Sequence, residues 1–294
     1  MCRIRKEWSL LGNLSLNEMV HKVEELPALP HVTYRVLQLT SDPKTTIPEL
    51  TDTITKDQVL TAKVLRMANS AYYGYARRIY GISDALIILG FSTVRNLVLA
   101  ASVYNVMDKE FQGYFLPKGE LWKHSMSTAL IARLLARKVS YELPDQAFTA
   151  GLLHDIGKII MNTYMKKRFA KVIEMVNGEN IPFMEAEQQI LGFDHAEVGA
   201  RVAEKWNLPD ELVEAIASHH RPKLAKINPR LTSLTHVADA ASMSMGIGLG
   251  GDGMLYPFDG FAIDQLKLDR KIIEETMAEV AESMVDSETL NSEA

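Results

Sequence analysis

The sequence contains very little cysteine and no strong excess of one charge. Its single cysteine, Cys2, excludes a disulfide framework and a metal site built from several thiolates, and it is consistent with a reducing, cytoplasmic compartment. The 32 basic and 37 acidic residues give a net charge of −5, and the basic residues are scattered along the chain. Such a balance lacks the basic surface that duplex nucleic acid requires, so we expect no duplex partner.

The sequence also lacks a long uninterrupted apolar run and a secretion signal. Its most apolar stretch, residues 82–102, contains Asp84, Arg95 and Asn96, whereas a membrane span needs about 20 nearly uninterrupted apolar residues. Near the N-terminus, Asn13 ends a short apolar run and no small-residue cleavage site follows. We therefore expect residues 82–102 to form buried helices in a protein with no membrane partner.

No long alternating pattern typical of strands is present. Apolar residues instead recur at helical spacing, as at Val32, Val36 and Leu39. Asp42-Pro43 should end this first helix, and Thr46 should cap the next one. With 47% hydrophobic and 23% charged residues, the 294-residue chain has the composition of an ordinary globular protein. The predicted fold class is all-α.

The helical pattern divides into two parts at a short polar segment. We predict an N-terminal helical subdomain over residues 15–115, packed on a second helical bundle over residues 116–285, and a frayed tail over residues 286–294. Residues 246–253 are rich in glycine and should form a loop, but they lack the lysine and the serine or threonine that follow a phosphate-binding loop.

Histidines of the second half lie close to acidic residues or to each other. Glu120 and His124 are four residues apart, as are His154 and Lys158, so each pair shares a face if the segment is helical. A single histidine is more often a core or capping residue than a metal ligand, so the set has to be considered together. In His154-Asp155-Ile156-Gly157, an imidazole precedes a carboxylate whose two oxygens can bridge neighbouring cations. The pattern therefore indicates a site for two metals.

The order of these residues resembles that of the HD phosphohydrolase superfamily, including its cyclic dinucleotide phosphodiesterases with a Gly-Tyr-Pro motif. The resemblance is carried, in chain order, by His124, His154-Asp155, His195, His219-His220 and Asp239. It implies one metal held by His124, His154, Asp155 and Asp239. It implies a second metal held by Asp155, His195, His219 and His220. Glu120 occupies the place of an acidic ligand that some of these enzymes use for a third metal.

The first half resembles one branch of this superfamily, the bacterial HDOD domains. The resemblance lies in Leu26-Pro27-Ala28-Leu29-Pro30, in the segment from Leu65 to Gly74, and later in Trp122-Lys123-His124-Ser125. It covers residues 15 to 245 or beyond. It implies a signal-transduction protein, because HDOD domains are linked mainly with bacterial regulation and have no shared hydrolytic activity.

The sequence departs from the phosphodiesterases directly after the histidine pair. Those enzymes continue with a glutamate and the Gly-Tyr-Pro loop, whereas this chain continues with Arg221-Pro222-Lys223-Leu224. Cyclic di-GMP hydrolysis therefore cannot be inferred from the resemblance. Lys158, Arg221, Lys223 and Lys226 could meet an anionic ligand, although solvated helix ends are the more common role of scattered cations.

Three functions remain open. The first is an interaction or ligand-sensing module with a metal site, acting with a signalling protein partner. The second is a metal-dependent phosphohydrolase or phosphodiesterase acting on a nucleotide-like phosphate, in which Asp155 would hold both metals and Lys158 would stabilise developing negative charge. The third is a redox or oxygen sensor with a di-iron centre. Imidazole and carboxylate ligands suit iron, manganese, zinc or nickel, and we favour iron.

Overall fold

The computed structural model describes residues 29–70, 78–164, 166–251 and 255–292, and every regular element in these ranges is helical. The all-α prediction is therefore confirmed. A lone bridge between Phe111 and Leu116 is the only extended pairing in the described residues. The α-helices are α1 (His31–Ser41), α2 (Ile47–Thr55), α3 (Gln58–Ala68), α4 (Ile82–Met107), α5 (Glu120–Lys138), α6 (Pro144–Leu153), α7 (Ile156–Tyr164), α8 (Lys166–Glu179), α9 (Phe183–Leu191), α10 (His195–Lys205), α11 (Asp210–Ser218), α12 (Pro229–Ser244), α13 (Gly260–Leu266) and α14 (Arg270–Ser292).

Helix ends follow the local signals of the sequence. Helix α1 ends at Ser41, directly before Asp42-Pro43. The Thr46 side chain accepts a hydrogen bond from the backbone N–H of Glu49 and so caps α2, as predicted. Asn228 caps α12 in the same way, and Pro229 occupies its first turn. These caps satisfy N–H groups that have no partner within the helix.

Helix α4 is the apolar stretch for which we predicted buried helices. It is the one helix in the described part of the chain that is long and apolar enough to cross a membrane, but half of its apolar window is buried inside the protein. Gly90 has a positive φ of 82° and breaks the helix into two segments. Because only glycine adopts this conformation without strain, the kink depends on that residue.

Two clusters of buried apolar side chains form the core. The first cluster is built from α1 to α4, with Leu50, Val64 and Leu97 among its members. The second cluster extends from the C-terminal part of α4 to α14, and Leu121 of α5 lies fully inside it. Helix α4 thus contributes to both clusters. The subdomain boundary at 115/116 stays a prediction.

The last helix extends beyond the apolar periodicity, and the frayed tail over residues 286–294 stays a prediction. The apolar periodicity ends near Val285, yet α14 continues to Ser292. The segment after Val285 contains neither glycine nor proline, so nothing in it forces the helix to stop. Several residues used in the sequence argument lie outside the described residues, namely Cys2, Leu26 to Ala28, Ala71 to Gly74, and Asp252 with Gly253.

A close contact between helices α7 and α10 positions the residues of interest. A Cβ atom on Gly157 would lie 1.9 Å from the backbone oxygen of His195 and 2.7 Å from the backbone nitrogen of Gly199. No side chain fits into this space, because real Cβ contacts are longer than 3 Å. Glycine at this position therefore lets the start of α10 approach the start of α7, and it brings His195 towards Asp155.

Candidate metal centre

Separate helices deliver the predicted ligands to one buried region. His124 lies on α5, His154 and Asp155 lie between α6 and α7, and His195 begins α10. His219 and His220 follow the end of α11, and Asp239 lies on α12. All of them are buried except His220, whose side chain keeps only 6% of its surface exposed. The site is therefore assembled by the tertiary fold from residues up to 115 positions apart (His124 to Asp239).

A first group of potential ligands consists of His124, His154 and Asp239. The His124 Nε2 atom lies 3.0 Å from Asp239 Oδ1 and 3.2 Å from His154 Nε2. His154 Nε2 lies 3.5 Å from the same oxygen of Asp239 and 3.4 Å from Asp155 Oδ2. The potential ligand atoms of His124, His154 and Asp239 all lie within 4.8 Å of one another, which is close enough to share one cation.

A second group forms around His195. Its Nε2 atom lies 2.9 Å from His220 Nε2 and 3.4 Å from Asp155 Oδ1. His219 Nε2 lies 4.0 Å from that same oxygen. The potential ligand atoms of His195, His219 and His220 again lie within 4.8 Å of one another. Asp155 thus directs Oδ2 to the first group and Oδ1 to the second.

The outer nitrogens of four imidazoles are held by oxygen atoms of the surrounding protein. His154 Nδ1 lies 2.7 Å from the Gly151 carbonyl oxygen, and His219 Nδ1 lies 2.7 Å from that of Ile216. His124 Nδ1 lies 3.2 Å from the carbonyl oxygen of Ile247. His195 Nδ1 lies 2.8 Å from a carboxylate oxygen of Glu187. When Nδ1 carries the proton for such a contact, the Nε2 lone pair is free to bind a cation, as is usual for histidine ligands.

Glu187 and Tyr114 are functional candidates that the sequence argument missed. Glu187 is fully buried on α9 and accepts hydrogen bonds from the Tyr114 hydroxyl at 2.6 Å and from the His195 backbone N–H at 2.9 Å. Burial, and then the Glu187 charge, raise the pKa of Tyr114 well above its usual value, so its hydroxyl remains a donor. A glutamate eight residues before a histidine, in another helix, carries no local sequence signal.

The segment after α12 also contacts the site, although the sequence indicated only a loop. Gly248 has a positive φ, and a Cβ atom there would lie 2.4 Å from the His124 Cβ atom. Further along, the Tyr256 ring stacks on His220 with centroids 4.7 Å apart. His236, a histidine absent from the predicted set, contacts the His219 carbonyl oxygen through Nδ1 and accepts the Asp259 backbone N–H through Nε2. This segment therefore helps to enclose both groups.

The surroundings shift the pKa values of the imidazoles in different directions. Burial opposes the charged form of His154, but the carboxylates of Asp155 and Asp239 outweigh it and raise the pKa of His154 to about 10. Burial, and then the neighbouring His154, lower the pKa of His219 to about 3. Burial and the adjacent His219 also hold the pKa of His220 well below its usual value. The pKa of His154 is thus raised, while those of His219 and His220 are lowered.

The carboxylates are kept ionised by nearby positive charge. Burial would raise the pKa of Asp155, but Lys158 and then His154 hold it well below its usual value. Lys158 Nζ donates a hydrogen bond to Asp155 Oδ2 at 2.7 Å, and its side chain is 17% exposed against 1% for Asp155. Lys158 therefore lies beside the predicted bridging carboxylate and nearer to solvent.

The residues present fit divalent cations. Three buried polar atoms of the site form no hydrogen bond within the described residues, namely Asp155 Oδ1, His219 Nε2 and His220 Nδ1. Buried polar atoms are normally paired, so unpaired ones at a polar cluster point to a missing partner. Five imidazoles and two carboxylates form a nitrogen and oxygen donor set that suits iron, manganese, zinc or nickel.

Other predicted residues lie apart from this cluster. Glu120 begins α5 and pairs with Lys123 at 3.5 Å, and it belongs to none of the groups of converging ligand atoms in the described residues. Arg221 pairs with Asp194, which also caps α10, and Lys223 lies 3.8 Å from Asp259. The backbone N–H of Lys226 donates a hydrogen bond to Glu214.

The fold and the cluster together define a class, that of helical HD-type domains. Within it, the sequence profile of the HDOD domain matches residues 26–222, about two thirds of the chain. The chain therefore belongs to the HDOD family, as the motifs predicted.

Solved structures agree with this assignment. An HDOD domain protein of unknown function from Geobacter sulfurreducens is 28% identical, with a TM-score of 0.73 and coverage of 92% of this chain and 96% of the other. A proposed phosphohydrolase from Shewanella amazonensis SB2B is 27% identical, with a TM-score of 0.66 and coverage of 89% and 97%.

Similarity also extends to an uncharacterised protein of Treponema pallidum (strain Nichols). The two are 25% identical over 200 residues, which make up 68% of this chain but only 38% of the relative. This chain therefore spans well under half the length of that curated relative.

Proposed function

We propose that this chain is a regulatory HDOD protein whose HD-type site holds two divalent metals, with iron as the favoured metal, and that it acts mainly as an interaction or ligand-sensing module with a signalling partner. The observation that carries the proposal is that imidazole Nε2 atoms converge on the two oxygens of Asp155. The Nδ1 atoms of four imidazoles contact oxygen atoms of the surrounding protein. A purely structural core has no need for so many buried polar groups at one point.

Each metal would have its own ligands around the shared carboxylate. His124, His154 and Asp239 would hold the first metal with Asp155 Oδ2. The second metal would be held by Asp155 Oδ1 with three imidazoles, those of His195, His219 and His220. When bound, such metals polarise phosphoryl oxygens and lower the pKa of water.

The surroundings of the second group support sensing rather than rapid turnover. Tyr256 covers one face of His220, and the segment after the histidine pair is held by other contacts. The Glu214 carboxylate accepts hydrogen bonds from the backbone N–H groups of Lys226, Ile227 and Asn228. The guanidinium of Arg221 is paired with Asp194. These groups are therefore engaged in contacts within the protein.

A second candidate function is a metal-dependent phosphohydrolase acting on a nucleotide or cyclic dinucleotide. The observation in its favour is Lys158, which lies beside Asp155 and nearer to solvent. From that position its ammonium could stabilise negative charge developing on a phosphoryl group. The proposed phosphohydrolase from Shewanella amazonensis is 27% identical to this chain, which is consistent with this alternative.

Elemental analysis tests the metal assignment. Protein purified without a chelating tag or added metal should contain about two metal ions per chain, mainly iron, and Asp155→Ala should contain almost none. The matched control is Asp52→Ala, which removes an exposed carboxylate of α2. Wild-type protein with less than one metal per chain, even after reconstitution with Fe²⁺ or Mn²⁺, would contradict the proposal.

A turnover screen separates the two candidate functions. The metal-loaded protein is incubated with nucleotides and cyclic dinucleotides, and both binding and product are measured. Binding without product supports a sensing module. Product formation that Asp155→Ala and Lys158→Ala both abolish would establish the phosphohydrolase instead.

A further inference from the structure

The outer contact of His195 differs from those of the other imidazoles in the cluster. The Nδ1 atoms of His154 and His219 face neutral backbone carbonyl oxygens, and that of His124 faces a carbonyl and the Ser242 hydroxyl. The His195 Nδ1 atom is within hydrogen-bond distance of a carboxylate, that of Glu187 at 2.8 Å, whereas the His220 Nδ1 atom lies 3.8 Å from Asp239 Oδ2 and forms no hydrogen bond within the described residues. A carboxylate makes the imidazole a stronger ligand than a neutral oxygen does, because it stabilises the positive charge that the ring acquires on binding a metal.

Glu187 is held in place more firmly than a single hydrogen bond would allow. Its Oε2 atom accepts from both the backbone N–H and the ring of His195, and its Oε1 atom accepts from the Tyr114 hydroxyl. The Tyr114 ring packs edge-on against Phe169 and Phe183, with centroid distances of 4.8 and 5.1 Å. These contacts orient the carboxylate towards His195, where it favours the tautomer with the proton on Nδ1.

Tyr114 connects this pair to the junction between the two predicted subdomains. It ends a short 3-10 turn, Gln112–Tyr114, which lies between α4 and α5. The Lys158 ammonium lies 5.5 Å from the centre of the Tyr114 ring, and the Tyr114 carbonyl oxygen accepts the Gly251 backbone N–H. Tyr114 thus contacts Glu187, Lys158 and the segment that follows α12.

We propose that Glu187 is a positioning residue that gives the second metal position its high affinity, and that Tyr114 supports it through the hydrogen bond to Oε1. The inference rests on the proposed function, since it requires that His195 binds a metal. Glu187 itself does not bind the metal, because both of its oxygens are used by Tyr114 and His195.

Cobalt binding measures the two positions separately. Wild type, Glu187→Gln and Tyr114→Phe are stripped with a chelator and titrated with Co²⁺, with visible absorption as the readout. We expect Glu187→Gln to keep the affinity of one position and to weaken the other by ten- to a hundredfold, the usual effect of losing such a partner. Tyr114→Phe keeps the packed ring and should weaken the same position by a smaller factor.

A matched control separates this effect from a general loss of charge on α9. Glu185→Gln makes the same chemical change two residues away, at an exposed position of the same helix. It should bind Co²⁺ as wild type does. The metal-free proteins give a second readout by NMR, in which a downfield imidazole N–H signal, assigned by its loss in His195→Ala, should move upfield in Glu187→Gln.

The outcomes are distinguishable. Wild type that binds no Co²⁺, Mn²⁺ or Fe²⁺ would overturn the proposed function and this inference with it. Wild type with two bound ions and a Glu187→Gln variant with the same two affinities would overturn the inference alone. If Glu187→Gln does not fold, Tyr114→Phe decides, because equal affinities in that variant and wild type would contradict the support by Tyr114 and Glu187.

Discussion

Asp155 differs from the other carboxylates because its two oxygens face different sets of imidazoles. Oδ2 lies near His154 and Lys158, whereas Oδ1 lies near His195. Asp239 directs Oδ1 to His124 at 3.0 Å but keeps Oδ2 3.8 Å from His220. A bridge between two cations is therefore more readily formed by Asp155 than by Asp239.

Removing the Asp155 carboxylate should empty both metal positions. In Asp155→Ala each group loses its shared oxygen, and the negative charge that would offset the repulsion between two cations is removed. His195→Ala should instead weaken mainly the second position, because its ring contacts Asp155 Oδ1 and His220. The measurement is elemental analysis after dialysis, and two tightly held metals per chain in Asp155→Ala would show that the bridging assignment is wrong.

Metal uptake at neutral pH should release at least one proton per chain. His154 has a pKa raised from 6.5 to about 10, so its imidazole carries an extra proton at pH 7 that must leave before Nε2 can bind a cation. Affinity should therefore rise as the pH increases from 6 towards about 10. Calorimetric titration with Mn²⁺ in two buffers of different ionisation enthalpy counts the protons released.

The control for this titration is His31→Gln, which alters an exposed histidine at the start of α1. It should release the same number of protons as wild type. Heats that do not depend on the buffer would mean that His154 is already neutral before the metal binds.

At the scale of helices, the contact between α7 and α10 aligns the two halves of the site. Gly157 permits it, since a Cβ atom at this position would lie 1.9 Å from the His195 carbonyl oxygen. The group that approaches Gly157 is the backbone of α10, at His195 and Gly199. Such contacts leave no room for relaxation, because neither partner is the end of a flexible side chain.

Adding one methyl group at Gly157 should therefore separate α7 from α10. We expect Gly157→Ala to lower the free energy of unfolding by about 1–3 kcal/mol or more and to reduce metal content, since His195 is displaced. Gly178→Ala, on the exposed side of α8 with no atom within 4 Å of the new Cβ, is the matched control. It should be neutral or stabilising by up to about 1 kcal/mol. Urea unfolding measures both, and equal stabilities would contradict the role of the contact.

Much of this arrangement was predictable from local patterns. Periodicity gave the helical class, Thr46 and Asp42 marked helix ends, and the order of histidines and aspartates indicated the cluster. Glu187 and Tyr114 were not predictable, because their link spans 73 residues and depends on how α9 packs beside the turn before α5. Glu120 is the opposite case. Its spacing from His124 along the helix suits a metal ligand, but in the structure its carboxylate pairs with Lys123.

At the scale of the whole molecule, the buried ligands are connected with the N-terminal helices through α4 and α6. Helix α4 contributes side chains to both apolar clusters, and Asn96 on it accepts a hydrogen bond from Thr149 of α6 at 2.9 Å. Helix α6 ends immediately before His154. Helix α6 therefore links the packing of α4 directly to a predicted ligand, His154.

Hydrolysis of cyclic di-GMP should be absent or very slow even when the metal site is full. Metals activate water, but the rate also depends on holding the phosphodiester in line with it, and misplacement by about 1 Å can cost about a hundredfold. In the phosphodiesterases that this chain resembles, part of that task falls to the loop after the histidine pair. Here the 3-10 turn Pro222–Leu224 takes its place, and proline fixes one backbone angle and removes a donor. The test compares iron- or manganese-loaded protein with a Gly-Tyr-Pro phosphodiesterase under the same conditions. Comparable turnover, lost in Asp155→Ala, would make this chain an enzyme first and a sensor second.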